Sequence, residues 1–336
     1  MKKNNVVLIG GGVGSSTFTK ALKDLPVNLT TIVSAFDDGG STGAVRRDYG
    51  GIALGDFRQC VAASLDLDGT LLGSLNYRFG RGNLFGVNVG NLLLRSFLDQ
   101  HETEREGVAE LHRLLGLKNK VIPVSYDFAK LCAKLSNGRV LGDQQQIADH
   151  LSFAEASIKK LYLDPGAKLN PDAREAMLRA DYLIFAPGHF FTSVLPHLYV
   201  KGFAAAWKRS KAKKIWFVNL LAHRGQDSFY ALKDYLGWFE HELGRKPFDL
   251  VVVNEAIADK VLDMVKDRFE ETKITEEDLA YLGSRGVTAV TADVVSFRLR
   301  PQQQNDTIMR APLRHDPEKI KRFFGKRVLA NKKRSH

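Results

Sequence analysis

The stretch VVLIGGGVGSSTFTKAL, Val6 to Leu22, decides the fold. Val6 to Ile9 is a short all-apolar run. Gly10, Gly11, Gly12 and Gly14 interrupt it before Phe18, Ala21, Leu22 and Leu25 recur at helical spacing. That succession reads as strand, glycine loop and helix. Glycine lets backbone N–H groups approach a phosphate closely, and a helix N-terminus adds about half a positive charge. Ser15, Ser16 and Thr17 add hydroxyls, so an anion is expected here. The spelling departs from G-x-G-x-x-G because Ser15 stands at the third glycine, and no lysine completes a P-loop. A tight strand-to-helix turn without any ligand would need the same glycines.

The next element is LTTIVSA, Leu29 to Ala35, whose β-branched residues favour a strand. It delivers DDGGSTGAVRRDYGGIALGDFR, Asp37 to Arg58. Asp37 and Asp38 land at a strand end, and Gly39, Gly40 and Ser41 make a turn there. One acid at such a strand end binds ribose in dinucleotide enzymes. Two adjacent acids followed by Asp56 suit Mg²⁺, held through oxygens while it bridges phosphates. Arg46, Arg47 and Arg58 are expected to clamp phosphate oxygens. Asn91 precedes the helix Leu92 to Leu98 and reads either as its N-cap or as a ligand contact.

A hydrophobic content of 44% with 26% charged residues supplies a buried core and excludes a disordered chain. With no linker or repeat in 336 residues, one α/β unit is expected over residues 1–322. Residues 99–160 read as a decorating insertion of helices and hairpins, and 323–336 as a basic flexible tail. Residues 317–336 hold eight Lys/Arg, Lys332, Lys333 and Arg334 among them, against Glu318, so they carry +7 of the net +11. Without interleaved aromatics or a nucleic-acid motif, nucleic acid is not an expected partner. Cys60 and Cys132 lack metal spacing and read as packed thiols of a cytoplasmic protein. No run nears the ~20 apolar residues of a membrane span. His101 and His112 are expected on solvent-facing helix surfaces, and a homodimer is the general expectation.

From Asn170 onward strand and helix alternate regularly: a helix to Arg179, a strand over 181–185, a helix from the Gly188 turn through Trp207, and a strand over 214–219. A helix to Leu243, a strand over 248–254, a helix over 259–269 and a strand over 287–292 follow. Alternation of this kind implies a parallel sheet covered on both faces. Ligands bind such sheets at the carboxyl ends of strands where strand order reverses. The Gly10 loop, the Asp37 turn, Gly188 with Thr192 and Ser193, Asn219 to Gly225, and Asn254 are therefore expected to converge. Asp316 is the expected cap of a last helix begun by Pro317, which pins Arg314 and His315 beside it.

In this order, GGGVGSSTFTKAL, DDGGSTGAVRRDYG, LGDFRQC, NYRF, GVNVGNLLL, APGHFFTSVLPHLYV, KIWFVNL and LRHDPEKI resemble the YvcK/CofD superfamily over residues 5–322. The resemblance implies a Rossmann-like three-layer αβα sandwich with a mostly parallel sheet. It implies a nucleotide or nucleotide-sugar ligand, Asp38 and Asp56 as a Mg²⁺ pair with Asp37 adjacent, and Arg314 as a nucleotide-sugar contact. DDGGSTG followed by an arginine pair and GDFR is similar to the gluconeogenesis-factor branch. Members of that branch bind UDP-N-acetylglucosamine and affect carbon metabolism and cell shape. The other branch is the 2-phospho-L-lactate transferase, which uses Mg²⁺ and releases GMP. The chain departs from the family's spelling at Val87, Ala186, His189, His197 and Ala222 to Asp227, which bears on the identity of the ligand more than on its class.

Three functions follow from these residues. A regulatory protein that binds a nucleotide sugar needs the phosphate loop and no catalysis. A Mg²⁺-dependent transferase would move a phospho-acyl group from a nucleoside diphosphate derivative to a hydroxyl and release GMP. A nicotinamide oxidoreductase would leave Asp56, the arginines and the paired acids unused. The spelling of the Asp37 turn favours the first.

Overall fold

Residues Val6 to Ile9 are apolar without alternation, and the fold buries them on both sides. In the computed structural model, which describes residues 3–152, 156–223, 231–255, 257–296, 298–299, 305 and 311–329, they lie in strand β1 (Asn4–Gly10). Val6 and Leu8 enter the core on one face of the sheet, Val7 and Ile9 the core on the other. Six further strands join β1: β2 (Val27–Val33), β3 (Lys120–Pro123), β4 (Tyr182–Phe185), β5 (Lys213–Phe217), β6 (Leu250–Asn254) and β7 (Thr288–Ala292). Their order is β7-β6-β5-β4-β1-β2-β3, and every pairing is parallel. This is the doubly wound order with one strand added at the β7 edge, and it reverses between β1 and β4. The expected three-layer α/β sandwich is found.

Register brings the strand ends together. Gly10 stands opposite Val33 and Ile9 opposite Phe185. The Ser34 N–H then donates to the Gly10 carbonyl at 3.0 Å, and the Ala186 N–H to the Ile9 carbonyl at 2.9 Å. Three strands thus stop at one level, and the loops that follow them leave side by side. Helix α1 (Gly12–Leu22) returns over one face with the fully buried Phe18 against Phe217. On the other face Phe185, Trp216, Phe239 and Phe248 pack edge-to-face and tilted, the favoured geometries for aromatic rings.

Several expectations need correction. Residues 120–123 pair with β2 as the edge of the main sheet, so the insertion begins only after Val124. It is a three-stranded antiparallel sheet, Val140–Leu141, Lys130–Leu135 and Ile158–Asp164, with helix Gln144–Ser152. Leu131, Ala133, Leu135 and Leu161 join the main core. The helix expected over 259–269 ends at Asp263, and Phe269–Glu271 instead pairs with Leu221–His223. The helix expected from Gly188 to Trp207 breaks into a π turn, Phe190–Val194, a 3₁₀ turn, Leu195–Tyr199, and a helix, Phe203–Arg209. Pro196 opens the second turn, and Gly202, at φ +99°, opens the third. His112 is not solvent-facing: Nδ1 meets the Val108 carbonyl, Nε2 accepts the Val121 N–H, and burial pushes its pKa down.

The tail also starts later than expected, because Phe323, Phe324 and Val328 are buried and the Tyr182 hydroxyl donates to the Val328 carbonyl. Lys332, Lys333 and Arg334 lie outside the described residues, as do Arg224, Gly225, Gln226 and Asp227 of the expected polar turn. Asp316 caps its helix as expected, accepting from the N–H groups of Glu318 and Lys319. Cys60 and Cys132 are buried and unpaired. Among the described residues no helix is long and apolar enough to cross a membrane.

His197 is fully buried against Phe185 and Phe203, with Nδ1 on the Val194 carbonyl. Its substitution into the family motif therefore alters the core rather than a pocket wall. Desolvation pushes its pKa down to about 4, only partly offset by backbone hydrogen bonds. The unfolded chain then binds more protons than the folded one between about pH 6.5 and 4, so this group stabilises the fold above that window and the contribution is lost as pH falls through it. Urea melts across this range should show His197→Leu flattening the acid loss relative to the natural chain by about 3 kcal/mol. Parallel curves would refute the assignment.

Candidate functional site

The N-termini of three helices, two of which directly follow strands, line one cleft of about 450 Å³. Gly11 caps α1 without offering a side-chain acceptor, and Gly12 takes φ +55°, which favours glycine. Gly14 is fixed by contact, since a Cβ there would overlap the Pro187 carbonyl of the loop after β4. Gly11, Gly12 and Gly14 line the cleft as expected. Gly10, Ser15 and Ser16 do not: Ser15 is buried beneath Gly10, and the Ser16 hydroxyl donates to the Val13 carbonyl at 3.0 Å. The Thr17 hydroxyl makes the same backward bond, a common use of helical hydroxyls. What the glycine loop itself offers an anion is backbone N–H and helix dipole rather than the Ser15 and Ser16 hydroxyls.

The second wall is the Asp37 turn with α2 (Gly40–Tyr49) and α3 (Leu54–Ser64). Asp37 lines the cleft, and its Oδ1 accepts the Gly39 N–H at 3.2 Å. Asp56, in the first turn of α3, presses its carboxylate against Gly11 and Gly12. Asp38 turns away. Its Oδ2 accepts the Gln144 N–H of the insertion helix at 3.2 Å, and burial pushes its pKa up to about 6. The oxygen pair on the cleft wall is thus Asp37 with Asp56, in place of the expected Asp38 with Asp56. No three His, Cys, Asp or Glu cluster as a metal site among the described residues. Gly39 lines the cleft, whereas Gly40 does not.

Arg46 and Arg47 are not phosphate clamps. Arg46 is buried and donates to three carbonyls: Nε to Gly51 at 3.1 Å, Nη1 to Asp37 at 3.2 Å and Nη2 to Ala129 at 2.9 Å. Phe128 covers its guanidinium at 4.7 Å. It ties the Asp37 turn to the insertion, and Arg47 is exposed outside the cleft. Arg58 does line the cleft, held by Nε on Asn91 Oδ1 at 2.9 Å and by Nη1 on the Leu75 carbonyl. Asn91 in turn donates from Nδ2 to Ser41 Oγ at 3.1 Å. The cap of helix Val89–Leu98 is Asn88, whose side chain accepts the Asn91 N–H, so Asn91 is not that cap.

Beyond β4, Gly188, Thr192 and Ser193 line the cleft, and Asn219 reaches it while donating from Nδ2 to the Gly188 carbonyl at 2.6 Å. Asn254 does not line it: Oδ1 accepts the Val294 N–H at 3.2 Å at the far end of the sheet. Arg314 lines the cleft as well, 300 residues from Gly14 in sequence, on a short strand, Arg314–His315, that pairs with Val295–Ser296. His315 packs its ring on Phe18 at 5.7 Å. The insertion supplies a wall that sequence reasoning missed: Gln144, Gln145, Ala148 and Asp149 face the cleft from helix Gln144–Ser152. The glutamine run offers no periodicity that would announce this. Arg78 was also missed as a lining residue, although NYRF marked its neighbourhood.

A family profile described as 2-phospho-L-lactate transferase CofD matches residues 6–295. A putative gluconeogenesis factor of Clostridium acetobutylicum is 31% identical over 99% of this chain and 76% of its own length. The gluconeogenesis factor of Bacillus subtilis is 28% identical over 95% of this chain and 96% of its own. A crystal structure of a UPF0052 family member from Bacillus halodurans superposes with a TM-score of 0.86 at 29% identity, covering 97% of this chain and all of that one.

The geometry separates two arginines that look alike in sequence. Arg46→Ala should lower unfolding free energy by about 2–4 kcal/mol, because three carbonyls lose a charged donor inside the fold. Arg58→Ala should instead lower ligand affinity more than stability. Paired chemical melts and ligand titrations check both, and equal stability losses would overturn the distinction.

Proposed function

The chain belongs to the family described as 2-phospho-L-lactate transferase CofD, and from that premise we propose that it is a nucleotide-sugar-binding regulatory protein of the gluconeogenesis-factor type. Relatives bearing that name along nearly the whole chain support the type. One observation carries the ligand class: one cleft is lined together by the N-termini of helices after the glycine loop and the Asp37 turn, by Arg58 and Arg314, and by the insertion helix. About 450 Å³ is within the range that takes a small ligand such as a nucleotide sugar. Its diphosphate lies at the Gly11 to Gly14 loop, and the sugar end extends toward Arg314. By resemblance the regulated processes are carbon metabolism and cell shape. Two unpaired buried cysteines suit a reducing cytoplasm.

Asp56 decides whether a cation belongs here. A carboxylate against the phosphate seat repels a diphosphate unless a cation lies between them. Asp37 and Asp56 offer only hard oxygen donors, which suit Mg²⁺. When bound, the ion would supply charge neutralisation to the diphosphate. The same pair and the family profile favour a second reading, a Mg²⁺-dependent transferase of the 2-phospho-L-lactate transferase type that releases GMP.

Thermal melts with UDP-N-acetylglucosamine, GDP and NAD, each with and without Mg²⁺, test these readings. At a ligand concentration near 100 times Kd, the UDP-sugar should add about 2.7 kcal/mol of stability. A Mg²⁺-dependent response to GDP without one to the UDP-sugar would favour the transferase, and a response to NAD alone would sink both. Asp56→Asn should abolish the Mg²⁺-dependent part, while Asp38→Asn should keep it. Unchanged nucleotide affinity of Asp56→Asn with Mg²⁺ present would show the metal assignment to be wrong.

A further inference from the structure

Helix α2 opens with Gly40, Ser41 and Thr42 and carries no acid in its first turn. Its cap residue is Gly39, which has no side chain to accept from the helix end. The first bond along the helix runs from the Gly43 N–H to the Gly39 carbonyl at 3.1 Å. The N–H groups of Gly40, Ser41 and Thr42 therefore have no hydrogen-bond partner among the described residues. Ser41 and Thr42 are each only 5% exposed, and a helix end so placed calls for an acceptor. Gly39, Ser41 and Thr42 all line the cleft.

The two hydroxyls are donors in waiting. Thr42 Oγ1 has no partner among the described residues and rests against α3 at Gly55, where a Cβ would overlap it. Ser41 reaches the same condition through its neighbours. Arg58 Nε can only donate, so it meets Asn91 Oδ1, and this turns Asn91 Nδ2 toward Ser41 Oγ. The Asn88 N–H donates to the same oxygen at 2.8 Å. Both lone pairs of Ser41 Oγ are thereby used, and its proton has no acceptor among the described residues. Arg58 adds positive charge to this lining, and Arg46 holds the Asp37 carbonyl behind it. Asp37 is the carboxylate beside the turn, with Oδ1 on the Gly39 N–H. At α1, by contrast, the Asp56 carboxylate already lies against Gly11 and Gly12.

We propose that the first turn of α2 is a second anion seat of the cleft, built for a phosphoryl group that accepts from the Ser41 and Thr42 hydroxyls. A phosphoryl group has three acceptor oxygens, enough to meet both hydroxyls and the backbone N–H groups together, whereas a carboxylate has two. The ligand then carries two anionic groups, one at the glycine loop of α1 and one at α2. Only the identity of the molecule that bears them rests on the nucleotide-sugar reading above.

Calorimetric titration of the full chain with inorganic phosphate, in EDTA at fixed ionic strength, tests the seat without a nucleotide. Phosphate should bind. Thr42→Val should weaken it at least ~10-fold, the worth of a hydrogen bond to a charged group, and Thr42→Ser should restore it. Ser16→Ala, which removes a hydroxyl bonded to Val13, should bind as the natural chain does. Circular dichroism monitors folding, and if Thr42→Val unfolds, the same loss in Thr42→Ala decides. Unchanged phosphate affinity on removing the Thr42 hydroxyl would overturn the proposal. So would equal affinity for acetate, or phosphate binding that requires Mg²⁺, which would assign Thr42 to a cation. If Thr42→Val loses phosphate while UDP-N-acetylglucosamine fails to bind the natural chain, the seat stands and the nucleotide-sugar reading falls. A UDP-sugar that binds Thr42→Val as tightly as the natural chain overturns the seat and leaves that reading intact.

Discussion

The contact on which the arrangement depends is the one between Gly14 and the Pro187 carbonyl. Gly14 lies in the first turn of α1, just after β1, and Pro187 in the loop after β4; the two strands are parallel neighbours separated in sequence by the first crossover units and the insertion. Strand order reverses between those strands, so no helix fills the space above their carboxyl ends. The loops part there and leave a cleft that backbone N–H groups can line. A side chain at residue 14 would push the loops apart. The glycine loop's place on the cleft and its packing beside β4 therefore rest on the same absence of a side chain.

Much of this was legible in the chain. The unbroken apolar run at Val6 to Ile9, the β-branched second strand and the later alternation all report burial on two faces, which only the middle of a parallel sheet provides. The cleft was legible at its glycines, at Asp37 and Asp56, and at Arg58 and Arg314. What remained hidden was direction. Nothing in adjacent aspartates says that one faces the ligand and the other the insertion, and nothing in Arg46 distinguishes a phosphate clamp from a brace across three carbonyls. Those outcomes are set by Gln144 and Ala129, which tertiary structure brings in from 106 and 83 residues away. His112 was misjudged for the same reason, since its partner Val121 belongs to the sheet edge.

The polar interior beside the cleft follows one rule. Arg58, Asn91, Ser41 and Asn88 are all buried, and each hydrogen bond that links them supports the next. Such a chain carries a high penalty if one member is lost, because the others remain buried. It is also rigid, which fixes the Arg58 guanidinium on the cleft wall. The cleft thus has a fixed side, made from α1, α2, α3 and this network, and a second side whose backbone comes from the insertion.

That second side has an evolutionary consequence. Helix Gln144–Ser152 faces the cleft with side chains that take no part in the central sheet; its Gln144 N–H, a backbone donor present in any residue but proline, bonds to Asp38, and Arg46 braces the same turn to Ala129 elsewhere in the insertion. Replacing Gln145, Ala148 or Asp149 can change what the cleft prefers without disturbing the hydrogen bonds that seat the helix. The lining on this side can consequently be varied while the glycine loop and the Asp37 turn stay constant, and the insertion is the natural place to redesign the cleft.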